Sequence, residues 1–151
     1  MPRPRRGPPA PRRRKLGCEP WRIMAPVTPT GGPGLQWAVH EVSICAAAVR
    51  AAEAKARELG GRRIAVLRLR IGALAGVVPE AMEFAYPVVC RGTLAEGSRL
   101  EVEHVPVRCL CESCEAEFEP KAAVYACPTC GRPSEKIVSG RELELAQIEL
   151  E

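Results

Sequence analysis

Aspartate is absent from this 151-residue chain, and histidine occurs only at His40 and His104. Carboxylate chemistry therefore rests on glutamate alone. No nucleophile–base pair and no phosphate-cradling glycine loop appears among the motifs, so no catalysis is expected. No run approaches eighteen apolar residues, which excludes a membrane-spanning helix. No apolar segment follows the N-terminal arginines, which argues against a Sec or twin-arginine signal and predicts a cytoplasmic protein. Its eight cysteines should then stay reduced, and clustered thiols become metal-ligand candidates rather than a disulfide framework.

The positive net charge of +4 is unevenly spread. Residues 1–38 carry eight Arg or Lys and one Glu, whereas residues 39–151 carry fourteen basic and seventeen acidic residues. The mildly acidic remainder argues against a nucleic-acid surface as its main purpose. Residues 1–38 also hold nine prolines and five glycines, opening with "PRPRRGPPAPRRRK". Such chain offers little apolar surface to offset its entropy and is expected to be disordered. It reads as a basic arm for nucleic acid, an organellar transit segment, or upstream sequence outside the working protein. Its prolines argue against an amphipathic transit helix.

Residues 41–59 are rich in Ala, Glu, Arg and Lys, which favour helix. Val42, Cys45, Val49, Ala52, Ala56 and Leu59 recur at steps of three and four, predicting one buried face, with Gly60-Gly61 as the stop. "RIAVLRLRIG" alternates through Leu67, Arg68, Leu69, Arg70 and Ile71, the pattern of a half-buried strand. Pro79 suits a first helical position, and a second helix is expected through Met82, Phe84, Ala85, Val88 and Val89. Pro87 should kink or shorten that helix. Residues 98–105 form a second alternating strand. "RELELAQIELE" supplies a third, with a bulge near Ala146. A strand cannot stand alone, so this last one must rejoin the first sheet. The expected architecture is α/β (α+β): a small three-stranded sheet with two helices, over residues 39–106 and 140–151, with a cysteine-rich module at 107–139 inserted between two strands.

Within that module Cys111-x2-Cys114 and Cys127-x2-Cys130 are separated by twelve residues. Two such knuckles can turn four thiolates to one point, a tetrahedral set that suits structural Zn2+ and leaves no open position. "CPTCG" supports the turn through Pro128 and Gly131. A redox-active pair is the competing reading of either C-x-x-C alone, and Cys109 is a conceivable substitute ligand. Cys18, Cys45 and Cys90 read as unpaired thiols, the last two packing as small apolar residues in helices. A four-cysteine ribbon does not by itself define a function.

A lone histidine is usually a surface or satisfied core residue, and that reading stands for His104. His40 differs, since it sits just before a helix and is followed by Glu41. An imidazole, nearby main-chain nitrogens and a carboxylate form an N/O donor set suited to tetragonal Ni2+ or Cu2+. At this point "VHEVSIC" resembles the Met-His-Glu start of the HypA/HybF hydrogenase nickel-incorporation proteins, with Val39 where the initiator Met belongs. "RLRIGALAGVVPEAMEFAY", "VCRGTLAEGSRLEVE" and "CLCESCEAEFEP…CPTCG" are similar to the same family in order and spacing, over about residues 39–151.

The resemblance implies a nickel metallochaperone for [NiFe] hydrogenase maturation. It implies Ni2+ as transient cargo at His40 and Glu41, and structural Zn2+ at Cys111, Cys114, Cys127 and Cys130. It further implies transfer to the hydrogenase large subunit together with a HypB-type GTPase, leaves a homodimer and urease maturation open, and calls for neither nucleic acid nor membrane. A GTG codon read internally as Val initiates as Met, so Val39 is the expected true start and 1–38 an upstream extension. Some family members are described with an additional Asp ligand before the second helix; this chain has Val78 there, and nearby Glu80 reads as a helix N-terminal charge. The rival from another class is a zinc-ribbon nucleic-acid binder using the basic arm; a thiol redox protein is the third reading.

Overall fold

A computed structural model describes residues 14–22, 36–121 and 124–151. Its elements run β1 (Arg14–Arg22), α1 (Gln36–Glu58), β2 (Ile64–Gly72), α2 (Pro79–Val89), β3 (Arg99–Val105), β4 (Arg108–Cys111), β5 (Ala116–Phe118), β6 (Ile137–Ser139) and β7 (Leu143–Leu150). Strands β1, β7, β2 and β3 form one sheet in that order, and β5, β4 and β6 form a second. β2 and β3 are parallel and joined through α2, while β7 runs antiparallel to both β2 and β1. The fold is α+β. Among the described residues no helix is long and apolar enough to cross a membrane.

Alternation along β2 buries Leu67, Leu69 and Ile71 beneath the helices and turns Arg68 and Arg70 outward. The outer face is then held by ion pairs, with Arg68 Nε donating to Glu101 at 2.9 Å and Arg70 Nε to Glu103 at 3.2 Å. Hydrogen bonds from Arg68 and Arg99 hold the Glu101 carboxyl below its ordinary range. Under the helices, Ile44, Ile64, Leu67, Leu69, Met82, Leu145 and Ile148 are fully buried. Each such side chain contributes about 1.5–3 kcal/mol relative to exposure. The expected bulge in β7 is present: Arg68 faces Gln147 while Leu69 faces Leu145, so Ala146 is the extra residue.

Helix α1 ends in a Schellman arrangement, with Gly61 N donating to Ala56 O at 2.8 Å and Gly60 N to Arg57 O at 3.1 Å. Gly60 takes the required positive φ of 70°. The buried stripe of α1 differs from expectation. It runs Glu41, Ile44, Cys45, Ala48, Val49, Ala52 and Ala56, while Val42 and Leu59 are exposed. At about 100° per residue, a stripe through Cys45 and Val49 passes through position 41 rather than 42. In α2 the buried side is Met82, Ala85 and Tyr86. Phe84 is 83% exposed and Val88 57%.

The sheet has one strand more than expected. Arg14–Arg22 lies within the segment expected to be disordered, yet it pairs with β7, and α1 begins at Gln36 rather than after His40. Edge pairing uses main-chain groups that β7 already presents, so composition is a poor guide there. Pro20 falls in the register shift between Gly17 and Trp21, where a missing N–H is tolerated. The rest of the segment, 1–13 and 23–35, and the side chain of Cys18 lie outside the described residues.

Strands β4 to β6 lie in sequence between β3 and β7. The join is tight: a Cβ on Gly72 would stand 2.1 Å from the Gly140 carbonyl carbon and one on Gly140 2.9 Å from Val107 Cα, so neither position admits a side chain. Gly72 N donates to Glu142 O at 2.8 Å, Ala73 N to Val105 O at 3.0 Å and Leu74 N to Gly140 O at 2.7 Å. The loop after β2 is thereby pinned to both chain crossings between the sheets.

Candidate metal centres

The first knuckle leaves β4 at Cys111 and turns at Cys114 before β5 begins. The second is closed by Gly131 N donating to Cys127 O at 2.8 Å and Cys127 N to Arg132 O at 2.8 Å. Gly131 follows the second knuckle with φ 72°, and Glu115 holds the equivalent place after the first with φ 51°. Arg132 Nη1 donates to Ser113 Oγ at 2.7 Å and ties one knuckle to the other.

These turns bring the Sγ atoms of Cys111, Cys114, Cys127 and Cys130 within 4.8 Å of one another. Cys111 and Cys130 are 3.6 Å apart, Cys114 and Cys127 4.0 Å. Four sulfurs each about 2.3 Å from one ion stand about 3.8 Å apart in a tetrahedron, so the set fits Zn2+. Backbone N–H groups of Cys130 and Thr129 draw the Cys127 thiol down to about 6, which favours the thiolate a metal needs. Hydrogen bonding to the Cys130 and Cys111 sulfurs pushes Cys114 up to about 12. Cys109 is fully buried with Phe118 behind the knuckles and stands outside the group. Burial pushes the Cys45 thiol up to about 12, with Cys90 and Glu41 adding to it, and raises Cys90 as well. Both pack in the main core.

His40 is exposed, within the second turn of α1 rather than ahead of the helix. Its neighbour Glu41 turns inward and is 1% exposed. Glu41 Oε1 accepts the Val78 N–H at 3.1 Å, and Oε2 is buried without a hydrogen-bond partner. Glu41 was expected as a donor beside His40, and its burial is legible only in its phase along the α1 stripe. His104 is exposed on β3, and Glu80 is exposed in the first turn of α2. Among the described residues the four cysteines are the only cluster of three or more His, Cys or Glu side chains with metal-site geometry.

Four sulfurs gathered to one point make a candidate metal centre, and the exposed imidazole of His40 stands apart from it. Residues 39–150 match the family described as hydrogenase/urease nickel incorporation, metallochaperone, hypA. The chain is 45% identical to the hydrogenase maturation factor HypA of a Picosynechococcus species over 112 residues, 74% of this chain and 99% of that one. It is 43% identical to the HypA of Geobacter metallireducens, covering 75% and 100%. Its fold is similar to a solution structure of a HypA protein (TM-score 0.59, 22% identity, 75% and 97% coverage). A second solution structure, of the Ni metallochaperone HypA from Helicobacter pylori, gives TM-score 0.52 at 19% identity, covering 73% and 96%. The chain belongs to the HypA family, and so to metallochaperones rather than enzymes. Residues 1–38 lie outside the matched span.

Proposed function

We propose that the protein carries Ni2+ at His40 for maturation of a [NiFe] hydrogenase, delivering it to the hydrogenase large subunit in concert with a HypB-type GTPase. The observation that carries this reading is the exposed imidazole of His40 at the start of the family-matched span. Nickel favours planar N/O coordination, and donors on an exposed helical turn can be replaced one at a time by those of a recipient. A four-thiolate cage offers no such opening. We therefore assign Zn2+ to Cys111, Cys114, Cys127 and Cys130 as the structural ion, and His40 with Glu41 to the cargo seat. A homodimer and service to urease fit the same reading.

Nickel titration of the full chain and of His40→Ala, with zinc measured in parallel, tests it. The variant should lose nickel uptake and keep its zinc. Undiminished nickel binding in His40→Ala overturns the proposal, and salt-dependent DNA or RNA binding by residues 39–151 alone would favour the nucleic-acid reading.

A further inference from the structure

The start of α2 has no side-chain cap of its own. Its N-cap residue is Val78, in extended conformation with φ −96° and ψ 110°, and no side chain of its own turn caps it. Pro79 follows at the first helical position. In a capping box, a Glu or Gln at the third helical position reaches back to the N-cap N–H. Here that position is Ala81. The Val78 N–H is instead taken by Glu41 Oε1 at 3.1 Å, from a residue 37 positions earlier on α1.

Burying a carboxylate at 1% exposure is costly unless something compensates its charge. Among the described residues no Lys or Arg pairs with Glu41; the partly positive end of α2 meets it instead. The first intrahelical bond of α2 is Met82 N to Val78 O at 3.2 Å, and at that helix end the Val78 N–H is the amide that reaches Glu41 Oε1, while Oε2 has no hydrogen-bond partner. Glu41 therefore does for α2, from another helix, what an acidic residue at position 81 would do locally.

We infer that Glu41 is a positioning residue: by capping α2 in trans it holds the Val78 main chain against the turn of α1 that carries His40, and it acts on the cargo through that placement rather than by coordination. The inference rests on the reading of His40 as the nickel seat and specifies Glu41's part in it. The other end of the same loop is already fixed by Leu74 N to Gly140 O and Ala73 N to Val105 O. Without Glu41 the stretch between Leu74 and Pro79 keeps one anchor and loses the one nearest His40.

Three variants of the full chain separate placement from coordination. Glu41→Ala removes the acceptor. Glu41→Gln keeps an acceptor oxygen but removes the anionic donor. Glu41→Ala with Ala81→Glu rebuilds the cap from within α2 and leaves position 41 empty. Nickel affinity, zinc content and amide exchange at Val78 are measured on each. Loss of a cap of this kind should speed Val78 exchange and weaken nickel about tenfold in Glu41→Ala, with zinc retained. Glu41→Gln and the double variant should each recover both readouts to within about threefold. Weak nickel binding in the two rescue variants with Val78 still protected makes Glu41 a ligand and overturns the inference, as does unchanged nickel affinity in Glu41→Ala. If Glu41→Ala does not fold, Glu41→Gln and the double variant decide alone: recovered nickel in both upholds placement, loss in both refutes it. If the wild-type chain takes up no nickel, the His40 reading fails, yet faster Val78 exchange in Glu41→Ala still upholds the trans cap.

Discussion

The two cysteine knuckles offer an internal control on backbone strain. Gly131 and Glu115 stand at equivalent places, one residue beyond the second cysteine of each knuckle, with φ 72° and 51°. An L-residue held in the left-handed region pays about 1–2 kcal/mol that glycine avoids. Glycine returns part of this, roughly 0.5–1 kcal/mol, through its freer unfolded chain. Glu115→Gly should therefore stabilise the ribbon by up to about 1 kcal/mol, and Gly131→Ala should destabilise it by a similar amount. Nothing lies within 4 Å of a Cβ built on Gly131, so its penalty is conformational, with no clash to confuse it. Since the fold of this module and its metal site are one equilibrium, the change should appear as about a fivefold shift in apparent zinc affinity. Competition with a chromophoric chelator at fixed pH reads it directly: Glu115→Gly tighter, Gly131→Ala weaker. Equal affinities in wild type and both variants would refute the reasoning, since strain at these turns would then be absent or relaxed elsewhere.

Removal of the metal assigned to the four cysteines should melt the small sheet alone. Among the described residues its buried core is Cys109, Cys111, Phe118 and Cys127, too little to fold unaided, whereas the main core has its own helices and sheet. Amide NMR after chelation should lose the signals of β4, β5 and β6 and keep those of β2 and β7; persistence of both sets contradicts this. Gly72→Ala drives a methyl into the Gly140 backbone at 2.1 Å and should cost about 3 kcal/mol, seen as a lower denaturation midpoint. An unchanged midpoint would mean that the crossing between the sheets is loose.

Much of this fold is legible in residue order because its signals are local. Leu67, Leu69 and Ile71 alternate with Arg68 and Arg70, and the two C-x-x-C pairs carry their own turn residues. Even the bulge at Ala146 shows as a break in alternation. The features without a local signal depend on partners distant in sequence. Glu41 occupies a core phase of α1 because the uncapped end of α2 receives its charge, and an apolar count passes over it to Val42. In α2 both Phe84–Val88 and Met82–Ala85–Tyr86 are stripes at helical spacing; packing against α1 selects the second and leaves Phe84 outside. β1 was hidden by proline and arginine, since an edge strand draws its hydrogen bonds from the neighbour's backbone.

Sheet order has a bearing on biogenesis. β7, the latest strand in translation, slots between β1 and β2, the earliest two. Until it emerges from the ribosome those strands have no common neighbour, and Leu145, Ile148 and Leu150 are missing from the interior. Assembly of the β2–α2–β3 unit can precede this, being short-range in sequence, but closure of the sheet waits for the full polypeptide. Metal loading of the cysteine module, already synthesised by then, can come first.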